Sequence, residues 1–209
     1  MKQAALVAAI AIAAACSQRA EPPPPGSAAA PAASSTTAAP DGAARVVGKV
    51  PASGLAVIAL EPKTPRAFAP QDEKPVMDQV GLTFGPELLL VRTGEPVEFR
   101  NNDDTLHNVN VKDEQTREQA FNVAIPTGGA YEHTFKRDGF YRVGCDIHPA
   151  MAASVFASKS PFTAIVDADG RFAFADVPTG AWTVTVYTNG RQLHKDVAVA
   201  PGVTAVTLE

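Results

Sequence analysis

Short runs in which apolar and polar residues alternate constrain the fold of this chain more than any other feature. Examples are PVEFRN at 96–101, YEHTF at 131–135 and TVTVY at 183–187. Alternation with a period of two is typical of half-buried strands. Turn dipeptides such as Asp138-Gly139 and Asp169-Gly170 separate the runs, and no stretch shows sustained helical periodicity. The sequence therefore predicts an all-β protein built from sandwiches.

The strand runs fall into two groups. Residues 74–158 hold about eight runs, which is enough for one closed sandwich, whereas residues 160–209 hold only five and would leave an apolar edge open. Two earlier runs, within residues 45–62, would raise the second group to seven. We therefore predict a split sandwich made of 45–62 and 160–209, with 74–158 inserted between its halves. The alternative is a serial order, in which 45–62 supplies the first strands of the domain that follows it.

The first 44 residues predict that the protein is exported and attached to a membrane. Lys2 precedes an apolar run that ends at Ala15, and this run is shorter than the ~20 residues of a membrane-spanning helix. Residues 1–16 therefore read as a signal peptide. Cys16 follows three alanines, which resembles a lipoprotein cleavage site, so we expect Cys16 to be lipidated; an ordinary signal peptide is the alternative. Residues 17–44, rich in Pro, Ala, Ser and Thr, are expected to be a disordered linker.

The number of cysteines leaves one thiol without a disulfide partner. The chain contains two cysteines, Cys16 and Cys145. If Cys16 is lipidated or removed with the signal, Cys145 has nothing to pair with. A lone thiol in an oxidising compartment is expected to be buried, reactive or bound to a metal.

The residues around this thiol predict a metal site. Cys145, His148 and Met151 lie three residues apart in GCDIHPAM, a loop between two strand runs. A blue copper site needs a thiolate, two imidazoles and a weak axial thioether. His107, at the start of another strand run, is the natural second imidazole. Zinc is the rival metal, although a thioether is a poor fourth ligand for it. Each residue also has an ordinary structural role open to it, as a buried thiol, a turn histidine or a core methionine.

This pattern resembles the cupredoxins, the blue copper proteins. His107-Asn108 followed by Cys145-x-x-His148-x-x-Met151 has their ligand types in their order, and the loop spacing is most like that of amicyanin. The resemblance implies a Greek-key sandwich over 74–158, one copper ion held by His107, Cys145, His148 and Met151, and a role for Asn108 in tying the two ligand loops together. It also implies electron exchange at His148, within an apolar rim formed by Pro149 and Ala150.

The C-terminal segment has a second resemblance. Asp169-Gly170, Val177-Pro178-x-Gly180 and the aromatic strand after them are similar to the carboxypeptidase regulatory-like domain, a small transthyretin-like sandwich. The combined layout resembles bacterial cupredoxin-like lipoproteins of the methylamine-utilisation type.

These observations predict a monomeric, membrane-tethered electron carrier in the periplasm. Ser17 after the expected lipid cysteine resembles enteric lipoproteins, and this resemblance favours the outer membrane. We expect a redox partner protein and no enzymatic activity, since no Ser/His/Asp arrangement and no phosphate-binding glycine loop occur. With a net charge of −4 and no basic run, nucleic acid is not an expected partner. The alternatives are a copper-handling protein without redox turnover and an envelope adhesion or scaffold module.

Overall fold

The computed structural model describes residues 44–51, 56–188 and 191–208. The expected signal peptide, its Cys16 and the linker up to residue 43 lie outside the described residues. Sixteen strands and no helix occur in the described part, which confirms the all-β prediction. The described residues include no helix that could span a membrane.

The first eight strands are β1 (Ala44–Lys49), β2 (Ala56–Pro62), β3 (Val76–Val80), β4 (Thr83–Gly85), β5 (Leu88–Arg92), β6 (Pro96–Asn101), β7 (His107–Asp113) and β8 (Gln119–Ile125). The other eight are β9 (Ala130–Thr134), β10 (Gly139–Gly144), β11 (Ala152–Ser158), β12 (Thr163–Ile165), β13 (Arg171–Val177), β14 (Gly180–Thr188), β15 (Arg191–Val199) and β16 (Gly202–Thr207).

Strands β3 to β11 form two sheets, which we call the central sandwich. One sheet has the order β4-β3-β6-β9 and the other β5-β11-β10-β7-β8. Their facing side chains form one core that includes Met77, Phe99, Val143 and Val155. The apolar run 76–84 is two strands rather than one, because Gly81 and Leu82 both adopt positive φ of 59° and reverse the chain.

Strands β1, β2 and β12 to β16 form the outer sandwich. Its sheets have the orders β13-β1-β16 and β12-β2-β14-β15, so β1 and β2 are interior strands. Among the described residues, neither pairs with a strand of the central sandwich. The chain leaves the outer sandwich after β2 and re-enters it at β12, where Thr163 pairs with Ala59.

An apolar layer joins the two sandwiches. The outer face of β5, β10 and β11 packs against β2 and β14 through Val57, Ala59, Leu88 and Phe156, all buried. The Phe156 and Tyr187 rings lie 4.8 Å apart across this layer. Strands β10 and β11 are therefore covered on both faces, and these are the strands that flank the loop from Cys145 to Met151.

This strand order predicts how fragments behave. We propose that 45–62 and 160–209 form one folding unit. A fragment of 160–209 lacks β1, the interior strand of one sheet, and β2, one of the two interior strands of the other. It should therefore be unfolded or aggregated by circular dichroism and gel filtration. Joining 44–62 to 160–209 through a short flexible linker should restore a folded domain, because β2 and β12 are antiparallel neighbours. A stable, monomeric 160–209 fragment would contradict the proposal.

Candidate metal centre

The register between β7 and β10 brings the metal-binding residues together. These strands are antiparallel, with Gly144 opposite Asn110. His107 begins β7 and Cys145 directly follows β10, so both lie at the same end of the central sandwich. The loop 145–151 then crosses this end before β11 begins, and it carries His148 over the same point.

Three donor atoms of these residues face one another. The Nδ1 atoms of His107 and His148 are 2.9 Å apart, and Cys145 Sγ lies 3.9 Å from the first and 4.0 Å from the second. Within the described part of the chain, this is the group of ligand-type side chains close enough to hold a metal ion. His107 is fully buried and Cys145 is 4% exposed, whereas His148 is half-buried.

A carboxylate fixes the proton on His107. Asp103 Oδ2 lies 3.0 Å from His107 Nε2. A backbone hydrogen bond from Leu82 and the bond to His107 lower the pKa of Asp103 to about 2, so its carboxylate is ionised and can only accept. Nε2 must then carry the proton, and a neutral His107 presents the lone pair of Nδ1 to the site. Metal-binding histidines in proteins are commonly oriented in this way.

Asn108 connects the two ligand segments. Its Oδ1 accepts hydrogen bonds from the backbone N–H groups of Asp146, at 2.7 Å, and Ile147, at 3.3 Å. It also lies 3.3 Å from Cys145 Sγ. Because Asn108 follows His107 in β7, these bonds hold the thiol loop in position relative to the buried imidazole.

A cage of amides surrounds Asp146, one residue after the thiol. Asn110 donates to Asp146 Oδ1 at 2.8 Å, and Asn122 donates to Oδ2 at 2.8 Å. Asn108 also donates to Oδ2, at 3.0 Å. These bonds, with those from Asn110 and Asn122 the largest, lower the pKa of Asp146. The cage fixes a carboxylate beside the metal-binding loop.

The loop before His107 has its own support. The buried Asn101 side chain donates to the carbonyls of Thr105, at 2.9 Å, and Ile125, at 2.8 Å. Its Oδ1 accepts from the Asp103 N–H at 3.0 Å. Asn101 thereby positions Asp103 for its hydrogen bond with His107 Nε2.

The sequence analysis did not identify the roles of five residues that support the site. These are Asn101, Asp103, Asn110, Asn122 and Asp146. The only hint in the sequence was that Asp103 lies four residues before His107. That spacing brings two side chains together in a helix, but it predicts no contact in a loop.

The remaining predicted site residues lie along the same loop. Met151 is 2% exposed and belongs to the core that contains Cys145. Its N–H donates to the His148 carbonyl at 2.9 Å, which closes the loop as a tight turn. Pro149 and Ala150 are exposed beside His148. Met151 and Pro149 also line a cavity of about 390 Å³ together with Cys145.

The donor set fits copper. A thiolate, two imidazoles and a nearby thioether are the ligands of blue copper sites, whereas structural zinc prefers four cysteine or histidine ligands. Among the described residues no further cysteine or histidine joins the cluster. The two other described histidines lie elsewhere, His133 in β9 and His194 in β15.

Solved structures similar to this chain include copper proteins. A purple cupredoxin from Nitrosopumilus maritimus is 25% identical, with a TM-score of 0.37, over 41% of this chain and 100% of its own. An amicyanin mutant is 24% identical, with a TM-score of 0.38, over 48% of this chain and 97% of its own. A Cu-containing nitrite reductase from Thermus scotoductus SA-01 is 29% identical, with a TM-score of 0.38, over 46% of this chain and 25% of its own. No curated protein matches the sequence.

Residues 72–157 match the family model of copper binding proteins, the plastocyanin/azurin family. This match confirms the expected resemblance to the cupredoxins over the central sandwich, and it does not extend to the outer sandwich. Together with the cluster of His107, Cys145 and His148, it supports a single copper ion as the cofactor.

The bond between Asp103 and His107 generates a prediction for copper binding. Asp103→Asn should weaken copper affinity roughly 10- to 100-fold, because residues that orient a metal-binding histidine typically contribute that much. Competition with a chelator of known affinity measures the change. Asp104→Asn is the matched control, since the backbone N–H of Asp104, not its carboxylate, takes part in this turn. Equal affinity in both variants would show that Asp103 does not orient His107.

Proposed function

We propose that this protein is a lipid-anchored type 1 copper protein of the periplasm that carries single electrons between redox partners and catalyses no reaction of its own. The observation that carries the proposal is the burial of the donor cluster. His107 is inaccessible and Cys145 nearly so, whereas His148 is only half-buried and is followed by the exposed Pro149 and Ala150.

The protein groups around the cluster support electron transfer. A copper ion at this position supplies one-electron chemistry between Cu(I) and Cu(II). Asp103 holds the His107 ring, and Asn108 holds the loop of Cys145, so the donor atoms are positioned before an electron arrives. Burial excludes water from the thiolate. The exposed edge of His148 is then the short route for an electron.

The same burial argues against a role in handing copper to another protein. A protein that hands copper to another must let incoming ligands reach the metal, and here two of the three clustered donors are buried. We therefore retain electron transfer as the single proposed function.

Spectroscopy of ligand variants tests the copper assignment. The copper-loaded protein should show an intense blue thiolate-to-copper band, and Cys145→Ser should abolish it, because a hydroxyl is a hard, weakly acidic donor. Met151→Leu should keep the band and raise the reduction potential, since it would remove only a weak thioether donor.

Met77→Leu is the matched control for the methionine variant. Met77 is a fully buried methionine of the same core, so its replacement should leave both band and potential unchanged. A colourless wild type that binds stoichiometric zinc and rejects copper would defeat the assignment.

The anchor is tested by localisation. Cys16→Ala should move the protein from the membrane to the soluble fraction, because the lipid is the proposed attachment. Fractionation and immunoblotting measure this, and Cys145→Ser, which leaves the lipid site intact, should remain in the membrane fraction. A Cys16→Ala variant that stays membrane-bound after washing with salt and carbonate would contradict the lipid anchor.

A further inference from the structure

Strands β1, β13 and β16 form the sheet of the outer sandwich that lies away from the central sandwich. Among the described residues, the apolar layer that joins the two sandwiches takes its outer-sandwich members from β2 and β14 alone. The inward side chains of the other sheet, such as Val46 and Phe174, belong to the core between the two outer sheets. The opposite face of β1, β13 and β16 is exposed, and we call it the free face.

Small apolar side chains occupy the middle of the free face. Val47 is opposite Ala173 in β13 and Ala205 in β16. These three residues and Ile165 of β12 line an open depression of about 700 Å³. Ile165 is 46% exposed, and Val203, farther along β16, is 67% exposed. Exposed apolar areas of this kind commonly mark contact sites for a protein or a membrane.

Cations border this apolar area. Arg45 and Lys49 are four residues apart in β1, so both side chains point to the free face. Lys49 is opposite Arg171 in β13. The three strands contain these three cations and a single carboxylate, that of Asp176. Arg171 lies 3.6 Å from the exposed Asp169, whereas Arg45 and Lys49 form no ion pair with a described carboxylate. The free face is thus basic on a protein whose net charge is −4.

The expected linker meets the folded part of the chain at this same sheet. Strand β1 begins at Ala44 and is the middle strand of the three, and residues 17–44 are the expected linker from Cys16. A flexible chain of that length spans roughly 30 Å on average. In an anchored protein, this sheet is therefore the folded element that the linker keeps closest to the bilayer.

We propose that the free face lies on the anionic phospholipid surface of the membrane to which the chain is anchored. This inference rests on the proposed lipid anchor and adds the orientation of the anchored protein. Anionic lipid attracts Lys and Arg that come near the bilayer surface, and the small apolar residues between the cations allow a close, flat contact. The outer sandwich then holds the central sandwich off the bilayer, so the metal-binding loop stays accessible.

The charges also favour lipid over a second copy of the chain. Two free faces stacked on each other would bring Arg45, Lys49 and Arg171 of one chain against the same residues of the other. Like charges brought together in this way disfavour association, whereas an anionic bilayer neutralises them.

Vesicle binding by the soluble Cys16→Ala chain tests the free face without the anchor. At low ionic strength, this chain should float with vesicles of phosphatidylcholine mixed with phosphatidylglycerol more than with vesicles of phosphatidylcholine alone, and added salt should remove the difference. Arg45→Gln and Lys49→Gln in this background should each weaken binding about fivefold, the usual contribution of one cation near an anionic surface. Val203→Asp should weaken it as well.

Lys159→Gln is the matched control for these variants. Lys159 is exposed and lies in the connection between β11 and β12, outside the free face, so its loss should leave vesicle binding unchanged. Equal effects of Lys159→Gln and Lys49→Gln would show that net charge alone attracts the protein, and this would overturn the proposal. A concentration-dependent dimer that Val203→Asp dissociates would also overturn it, because a second copy would then occupy the face.

Paramagnetic relaxation measures the orientation of the anchored protein. The metal-free, lipid-anchored full chain is placed in nanodiscs of either lipid composition that contain a gadolinium-chelating lipid. In the anionic nanodiscs, backbone amide signals of β1, β13 and β16 should lose more intensity than those of the central sandwich, and Lys49→Gln should reduce this contrast. Even losses over all strands in an anchored wild type would defeat this inference alone. A wild type that never joins the nanodisc would defeat the proposed anchor, and the vesicle assay of the soluble chain would still decide whether the free face binds lipid.

Discussion

The backbone pairing of β7 with β10 is the interaction on which the metal centre depends. It places His107 and Cys145, 38 residues apart in sequence, at one end of one sheet. A shift of this register by one residue would turn every side chain of one strand to the opposite face. Asn108 and Asn110 would then leave the loop that they hold, and the donors would no longer converge. The ladder of hydrogen bonds along both strands therefore secures the site before any metal binds.

Polar side chains near the cluster extend this positioning to single atoms. Asn101 places Asp103, Asp103 sets the proton on His107, and Asn108 fixes the loop of Cys145. Because these groups are buried or partly buried, their hydrogen bonds are stronger than in water and leave few alternative arrangements. The same kind of bond holds the carboxylates of Asp103 and Asp146 in place beside the metal-binding residues.

The outer sandwich supports the metal-binding loop indirectly, through the two strands that flank this loop. It covers the outer face of β10 and β11, so these strands pack on both sides, whereas the outer face of β7 and β8 carries amides. Burial on both faces explains why residues 152–158 show a nearly continuous run of small and apolar residues instead of alternation. The strands that end at Cys145 and begin after Met151 are thereby clamped between two cores.

Much of this protein could be predicted from local sequence. Alternating runs and turn dipeptides identified the strands, because the strand period of two is visible within a few residues. The ligand types and their spacing in the loop from Cys145 to Met151 indicated copper, because one tight turn supplies most of the set. The spacing of residues within a single short loop limits how far apart their side chains can lie. The ligand set in this loop can therefore be identified without knowledge of the fold.

Only the tertiary structure decided which distant groups meet. Asp146 is held by Asn108 and Asn122, 38 and 24 residues away, and β1 pairs with β13 and β16 across the entire central sandwich. Nothing in the local pattern distinguishes these asparagines from solvated ones. The reason is physical: strand register and sheet order are set by burying two cores at once, and that condition involves the whole chain.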